Sequence, residues 1–370
     1  MRKSFIQRNR WLLLIGAAAV LALGLWGCSG NDSAPLAPTQ NSDQGLSDRL
    51  TPKMQSVMAV QDRHTPGLMA KKDVIGTATT LDDNGQPAIM LLVTSKEALD
   101  AAPASIEGVP VKAILTDKIV AMRSGTVSHK SKQTPPIQLG TSGGWRYDLA
   151  NGYCCGGTLG SLINKAGTQR ILSNYHVFEA DIVSGGNGRV ATTGDYIIQP
   201  GLIDVGCNAA NAQNVATLVK TSSLPGSNVD CSSANVISGM VSSTGSILEV
   251  GVIRAGSGVA ASVGQKVKKS GRTTGLTRSS VSGLNATISV QYENECAGGV
   301  AFTKTFTGQI LVANSGSKFL AGGDSGSLMV QDVTSGANAV GLLFAGSTSI
   351  AVANPIGSVL TFLGATMVGN

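Results

Sequence analysis

Three short stretches of this 370-residue chain have residue types and spacing that could do chemistry. The first is Gly322-Gly323-Asp324-Ser325-Gly326-Ser327, a hydroxyl set among glycines. Consecutive glycines permit a tight turn with exposed backbone N–H groups. A serine there can present its Oγ to a cleft while neighbouring amides face a developing oxyanion. The same composition also describes a plain polar turn. The second is Ile171-Leu172-Ser173-Asn174-Tyr175-His176-Val177, an apolar run that ends on a histidine 149 residues before Ser325. The other two histidines, His64 and His129, are isolated and read as ordinary surface residues. The third, Gly271-Arg272-Thr273-Thr274-Gly275-Leu276-Thr277, is glycine-rich but lacks the Lys-Ser/Thr pattern of a phosphate loop.

The elements that must position these residues read as β-rich. The chain has 47 Gly and 12 Pro, 42% hydrophobic residues and only 14% charged ones. Low charge with ample apolar content excludes a disordered polyelectrolyte, and the shortage of Glu and Lys excludes a coiled coil. Length suggests two or three domains. Leu50, Met54, Val57 and Met58 have helical spacing within 47–62. Two apolar runs, Val74–Leu81 and Ala88–Thr94, flank Asn84-Gly85, a hairpin signal. A short helix over Lys96–Ala102 and a strand over Val109–Thr116 complete an α+β unit at 46–120. Residues 121–146, basic and rich in Pro and Gly, read as a linker. From residue 147 to 370, about a dozen short strands separated by Gly, Asn and Ser turns suggest a sandwich or a pair of barrels. A helix from Pro355 to Met367 closes the chain.

The net charge of +6 is concentrated at the front. Arg2, Lys3, Arg8 and Arg10 precede a run without charge from Trp11 to Trp26, and the rest of the chain carries only +2. A near-neutral body without a basic cluster offers no footprint for nucleic acid. The uncharged run is short for a membrane span and fits a signal-peptide core. It ends in Leu25-Trp26-Gly27-Cys28, which resembles the lipobox of bacterial lipoproteins. That resemblance implies cleavage after residue 27 and a lipid anchor on Cys28. Residues 28–45 then read as a flexible tether.

The chemical stretches resemble those of bacterial trypsin-like proteins with the chymotrypsin fold. The turn at 322–327 is similar to the GDSG motif around their nucleophile, and Gly156–Leu162 to a first-barrel strand. Ser173-Asn174-Tyr175-His176-Val177 resembles the block that ends on their histidine, and Lys269–Thr277 the opening strand of their second barrel. The ending Leu343-Phe344-Ala345-Gly346-Ser347 with Ala353-Asn354-Pro355-Ile356 is also similar. The resemblance implies a double β-barrel and a serine endopeptidase with the order His, Asp, Ser. Asp181, Asp195, Asp204, Asp230 and Asp324 lie in the interval from His176 to Ser325. Asp230, before the strand at 236–237, matches the family's block, with Cys231 and Ser232 where members usually carry alanine; Asp204 is the reserve. The resemblance further implies an oxyanion hole from the amides of Gly323 and Ser325, and a specificity pocket floored by Phe319 and Leu320. Such a floor disfavours Lys or Arg at the cleaved bond. It implies no metal and no organic cofactor, a protein or peptide as substrate, and contact with a membrane through the anchor alone. A protease-fold scaffold without activity and an esterase with the same residues are the competing functions.

Five cysteines remain beside Cys28, at 154, 155, 207, 231 and 296. They allow at most two bridges in 15 ways, with one thiol left over. An exported compartment permits bridges, and the expected pair is Cys207–Cys231, bracing the segment before Asp230. The 46–120 unit is expected to be a companion domain, with the uncut chain active.

Overall fold

A computed structural model describes residues 51–121, 128–150, 153–179, 189–292 and 302–370. The apolar run 11–26, Cys28, the tether and Cys296 lie outside the described residues. The architecture is mainly β, in two curled sheets.

The first sheet uses the short strands that follow residue 141. Its order places Thr141–Trp145 between Gly157–Leu159 and Tyr196–Gln199, and continues through Gln213–Val219, Ser232–Val236, Thr168–Ser173 and Ser161–Lys165. The strand 157–159 at one end and the strand 161–165 next to the other end are separated by Gly160 alone, so the sheet curls back on itself. Its inward residues, including Leu162, Ile171, Val215, Leu218 and Ala234, form one dry cluster. Alternate residues of each strand reach that core, which is why the strands read as short apolar runs.

The second sheet closes through Lys266–Gly271. That strand pairs with Gly275–Ser280 on one side and with Met329–Gln331 on the other. Between them run Ala339–Gly346, Ile350–Pro355, Phe302–Ala313 and the 18-residue strand Gly275–Tyr292. Val267, Val312, Met329, Leu343 and Ala353 fill its interior.

The N-terminal α+β elements are present but share this second sheet. Val74–Leu81 pairs with Pro87–Val93 across a turn in which Asp82 Oδ1 accepts from the amides of Asn84 and Gln86. It also pairs antiparallel with 284–288 of the long strand. The helix Pro52–Met69, capped by Thr51, adds Met54 to the second-sheet core. A strand edge left free exposes unpaired backbone groups, and joining the long strand satisfies them. The stretch expected as a linker is also partly built in: Ile137 and Leu139 are fully buried, and Thr141–Trp145 is a strand of the first sheet. The closing helix is shorter than expected, Ile356–Leu363; Gly364 ends it in the left-handed conformation, and Thr366–Met367 returns to the first sheet.

The cysteine pairing differs from the expectation. Cys207 is bonded to Cys154, 53 residues away, with Cα atoms 5.5 Å apart. Cys231 is a free, fully buried thiol. The reason is where the two cysteines lie. Cys231 points into the first-sheet core beside Leu172 and Ala234, while Cys207 follows a surface turn that packs on Cys154, Ile198 and Leu202. Cys155 is also disulfide-bonded. His129 corrects a second expectation: it is buried, not a surface residue, and its ring bridges the Gly140 carbonyl and Glu249. His64 is half-buried beside Glu107.

Candidate active site

His176 and Asp230 meet because of strand pairing. The strands Thr168–Ser173 and Ser232–Val236 are antiparallel neighbours, with Ser173 opposite Ser232. The residues just after the first and just before the second therefore lie at the same end of the sheet. His176 stands there in the short helix Tyr175–Phe178. Its Nδ1 is 2.6 Å from Asp230 Oδ2, and both side chains are buried.

The Asp230 carboxylate is held from four directions. Oδ1 accepts the backbone amides of Tyr175 at 2.7 Å and His176 at 3.4 Å. Oδ2 accepts the hydroxyl of Tyr292 at 2.8 Å in addition to the imidazole. The Tyr292 ring lies edge-on to His176 and stacks on Phe302. The main chain at 230 is fixed as well: its amide donates to Asn354 Oδ1, and its carbonyl accepts from Asn174 Nδ2. A carboxylate so placed selects the imidazole tautomer with the proton on Nδ1. Burial pushes the adjacent Cys231 thiol well up, and the charges of Asp230 and Glu179 push it the same way.

Asp204, the reserve, has different work. It receives Arg272 in a two-pronged pair, Nε to Oδ2 and the terminal nitrogen to Oδ1, both at 2.6 Å. Ser142 Oγ donates to it too. Arg272 is buried against the turn at Gly323.

Ser325 lies in that turn, between the 3-10 turn Ser315–Ser317 and the strand Leu328–Gln331. Its Oγ donates to the Phe344 carbonyl at 3.2 Å. The turn is clamped to the first sheet through Thr158, whose amide donates to the Ser325 carbonyl and whose hydroxyl donates to the Gly323 carbonyl, both at 2.9 Å. Gly326 has φ +92°, and a Cβ on it would sit 2.2 Å from Ser173 Oγ and 2.4 Å from the Thr158 carbonyl. Only glycine permits both the conformation and the approach.

Asp324 is fully buried. It accepts the amides of Thr273, Thr274 and Ala321 and the hydroxyl of Thr274. Lys269 Nζ lies 3.2 Å from its Oδ2, with both side chains fully buried. Burial pulls the Lys269 ammonium down, and Asp324 opposes that shift. An internal cation thus satisfies the carboxylate next to Ser325.

Phe319 and Leu320 are core residues here, packed with Val267, Met329 and Leu343. The structure does not set their side chains on an open surface. Among the described residues, no group of three His, Cys, Asp or Glu side chains is arranged to hold a metal ion. The partners that sequence reasoning missed are Tyr292, Lys269, Arg272 and Thr158. Lys269 and Arg272 stood in a recognised block with no role attached; Tyr292, 62 residues from Asp230, carried no local signal.

Comparison with known proteins gives one family-model match, the Nal1 C-terminal domain, over residues 206–353. That span is less than half of the chain and includes Asp230 and Ser325 but not His176. No curated protein matches. Among solved structures, a glutamic-acid-specific serine protease is 19% identical, covering 62% of this chain and 100% of its own, with TM-score 0.40. Thermobifida fusca Protease A is 19% identical, covering 63% and 99%, with TM-score 0.40. Cellulomonas bogoriensis chymotrypsin is 19% identical, covering 63% and 99%, with TM-score 0.38.

Proposed function

We propose that this chain is an exported serine endopeptidase that cleaves peptide bonds through Ser325, His176 and Asp230. The observation that carries this reading is the buried His176–Asp230 pair at 2.6 Å, on a sheet end clamped by Thr158 to the turn of Ser325. Ser325 Oγ attacks the carbonyl carbon of the substrate, and His176 takes the hydroxyl proton. The C–N bond then breaks as His176 returns that proton to the leaving amine. Water hydrolyses the acyl-enzyme by the same route in reverse. Asp230 stays ionised and orients the ring. The amides of Gly323 and Ser325 bind the oxyanion; one such donor is worth about 3–4 kcal/mol of barrier.

The test is fluorophosphonate labelling together with peptide turnover. An adduct on Ser325, lost in both Ser325→Ala and His176→Ala, supports the reading. Unchanged turnover by Ser325→Ala removes it. The basic start, the apolar run and Cys28 support export with a lipid anchor. Cys28→Ala is expected to shift the protein from the detergent phase to the aqueous phase, and equal partitioning removes the anchor.

A further inference from the structure

The candidate site is closed: Ser325 is 0% exposed and His176 1%. The strand Ala339–Gly346 passes directly behind Ser325 and has two sides. Along one, residues 341–346 pair with Ile350–Pro355. Along the other, Leu328–Val330 covers residues 339–342, and the nucleophile turn takes Leu343, whose carbonyl accepts the Gly326 amide and whose amide donates to the Ser327 carbonyl. At Phe344 the turn departs, and that carbonyl receives the Ser325 hydroxyl. The edge beyond it, Ala345–Gly346, leads straight away from the nucleophile. Such an edge accepts an extended peptide as an added strand.

This edge is occupied by the chain itself. Val120 pairs with Gly346 and Ala121 with Ala345, antiparallel. Preceding residues anchor the segment. Thr116 Oγ1 and Ser347 Oγ are 2.7 Å apart in a buried contact, and Thr348 Oγ1 donates to Asp117 at 2.5 Å. The Gln291 amide donates to the Ile119 carbonyl, and the Ile119 side chain is buried in a cluster with Tyr175, Tyr292 and Phe344. The segment therefore runs from Ser347 towards Phe344, in the direction of Ser325.

We propose that residues 116–121 act as an internal strap on the peptide-docking edge Ala345–Gly346, and that the intact chain is latent until the strap leaves. The proposal rests on the reading of Ser325 as nucleophile. It reverses the expectation of an active uncut chain, because the connection from the N-terminal unit is not a free linker but a strand paired with Ala345–Gly346.

The test compares the full chain with Ala121→Pro, which removes a ladder amide, and with the pair Thr116→Val and Asp117→Ala, which removes the two hydroxyl anchors. Two readouts are taken: the rate of fluorophosphonate labelling at Ser325, and deuterium uptake of residues 343–348, which needs no activity. Ala121→Pro is expected to label at least tenfold faster and the double variant several-fold faster, with raised uptake in both. Unchanged uptake in both variants overturns the strap. Raised uptake with an unchanged, measurable labelling rate overturns latency. Raised uptake with no labelling of any form upholds the strap as occupant of the edge and overturns the nucleophile. If Ala121→Pro does not fold, the double variant decides by the same readouts.

Discussion

Two buried aspartates flank the candidate cleft, and their surroundings differ in kind. Asp324, on the second sheet, is matched by the Lys269 ammonium, three amides and a threonine hydroxyl. Asp230, on the first, is matched by two amides, a tyrosine hydroxyl and an imidazole. The first set contains a full counter-charge and holds geometry. The second contains no full counter-charge from a lysine or arginine, and its side-chain partners are an imidazole and a phenol. The difference separates a carboxylate held by a buried ammonium from one left to an imidazole, which is the arrangement the proposed reaction would use.

The sharpest way to break this contrast is Asp230→Asn. The amide can still accept the backbone N–H groups, so folding is expected to persist while peptide hydrolysis falls by about four decades, because the wrong tautomer is favoured. Purified variant, kcat/KM and circular dichroism check it. A fall of that size in Asp204→Asn with Asp230→Asn silent would transfer the role to Asp204.

Lys269→Met tests the other side. It leaves Asp324 buried without its cation, a loss of about 3–5 kcal/mol for one broken partner of a buried pair. Urea unfolding should show that loss, and adding Asp324→Asn should recover part of it. No change in the urea midpoint would mean that the amides and Thr274 suffice for Asp324.

Tyr292→Phe sharpens the contrast from within the first set. Removing one hydrogen bond to a charged group should cost about 1.5 kcal/mol, read as a roughly tenfold lower kcat with KM little changed. A drop confined to stability would make Tyr292 a packing residue.

The smallest effect is in pH. Cys231 keeps its proton longer in the folded chain than in the unfolded one, because burial raises it. Above the ordinary thiol value of about 8.5 the unfolded chain loses that proton first, so stability falls by up to about 1.4 kcal/mol per pH unit. Below that value the group has no effect. Unfolding of wild type and Cys231→Ala at pH 7 to 10 checks it: the variant should lack this downward slope, and parallel slopes refute it.

Much of the fold was legible because strands bury alternate residues and write that burial as short apolar runs. The hairpin at Asp82–Gly85 and the strands around Leu162, Ile171 and Leu342 follow from local pattern. The site was legible only in part. The turn of Ser325 and the run ending on His176 are contiguous stretches with local signals. The surrounding block favours Asp230 over Asp204, and the antiparallel pairing of 170–173 with 232–235 is what brings Asp230 to His176. The disulfide was misread because spacing says nothing about which side of a strand a cysteine faces: Cys231 points inward, and Cys207 meets Cys154 on a turn.

The amino-acid sequence by itself determined the β-rich class, the glycine turn that carries Ser325 and the isolation of the charged front from a near-neutral body, since each is written in neighbouring residues. Only the tertiary structure decided which aspartate meets His176, that Lys269 serves Asp324, that Tyr292 reaches Asp230, and that the N-terminal unit joins the second sheet and sends Val120–Ala121 along its edge. Those are contacts between residues tens to hundreds of positions apart. Their existence depends on sheet register and closure, and no local run of residues carries that information.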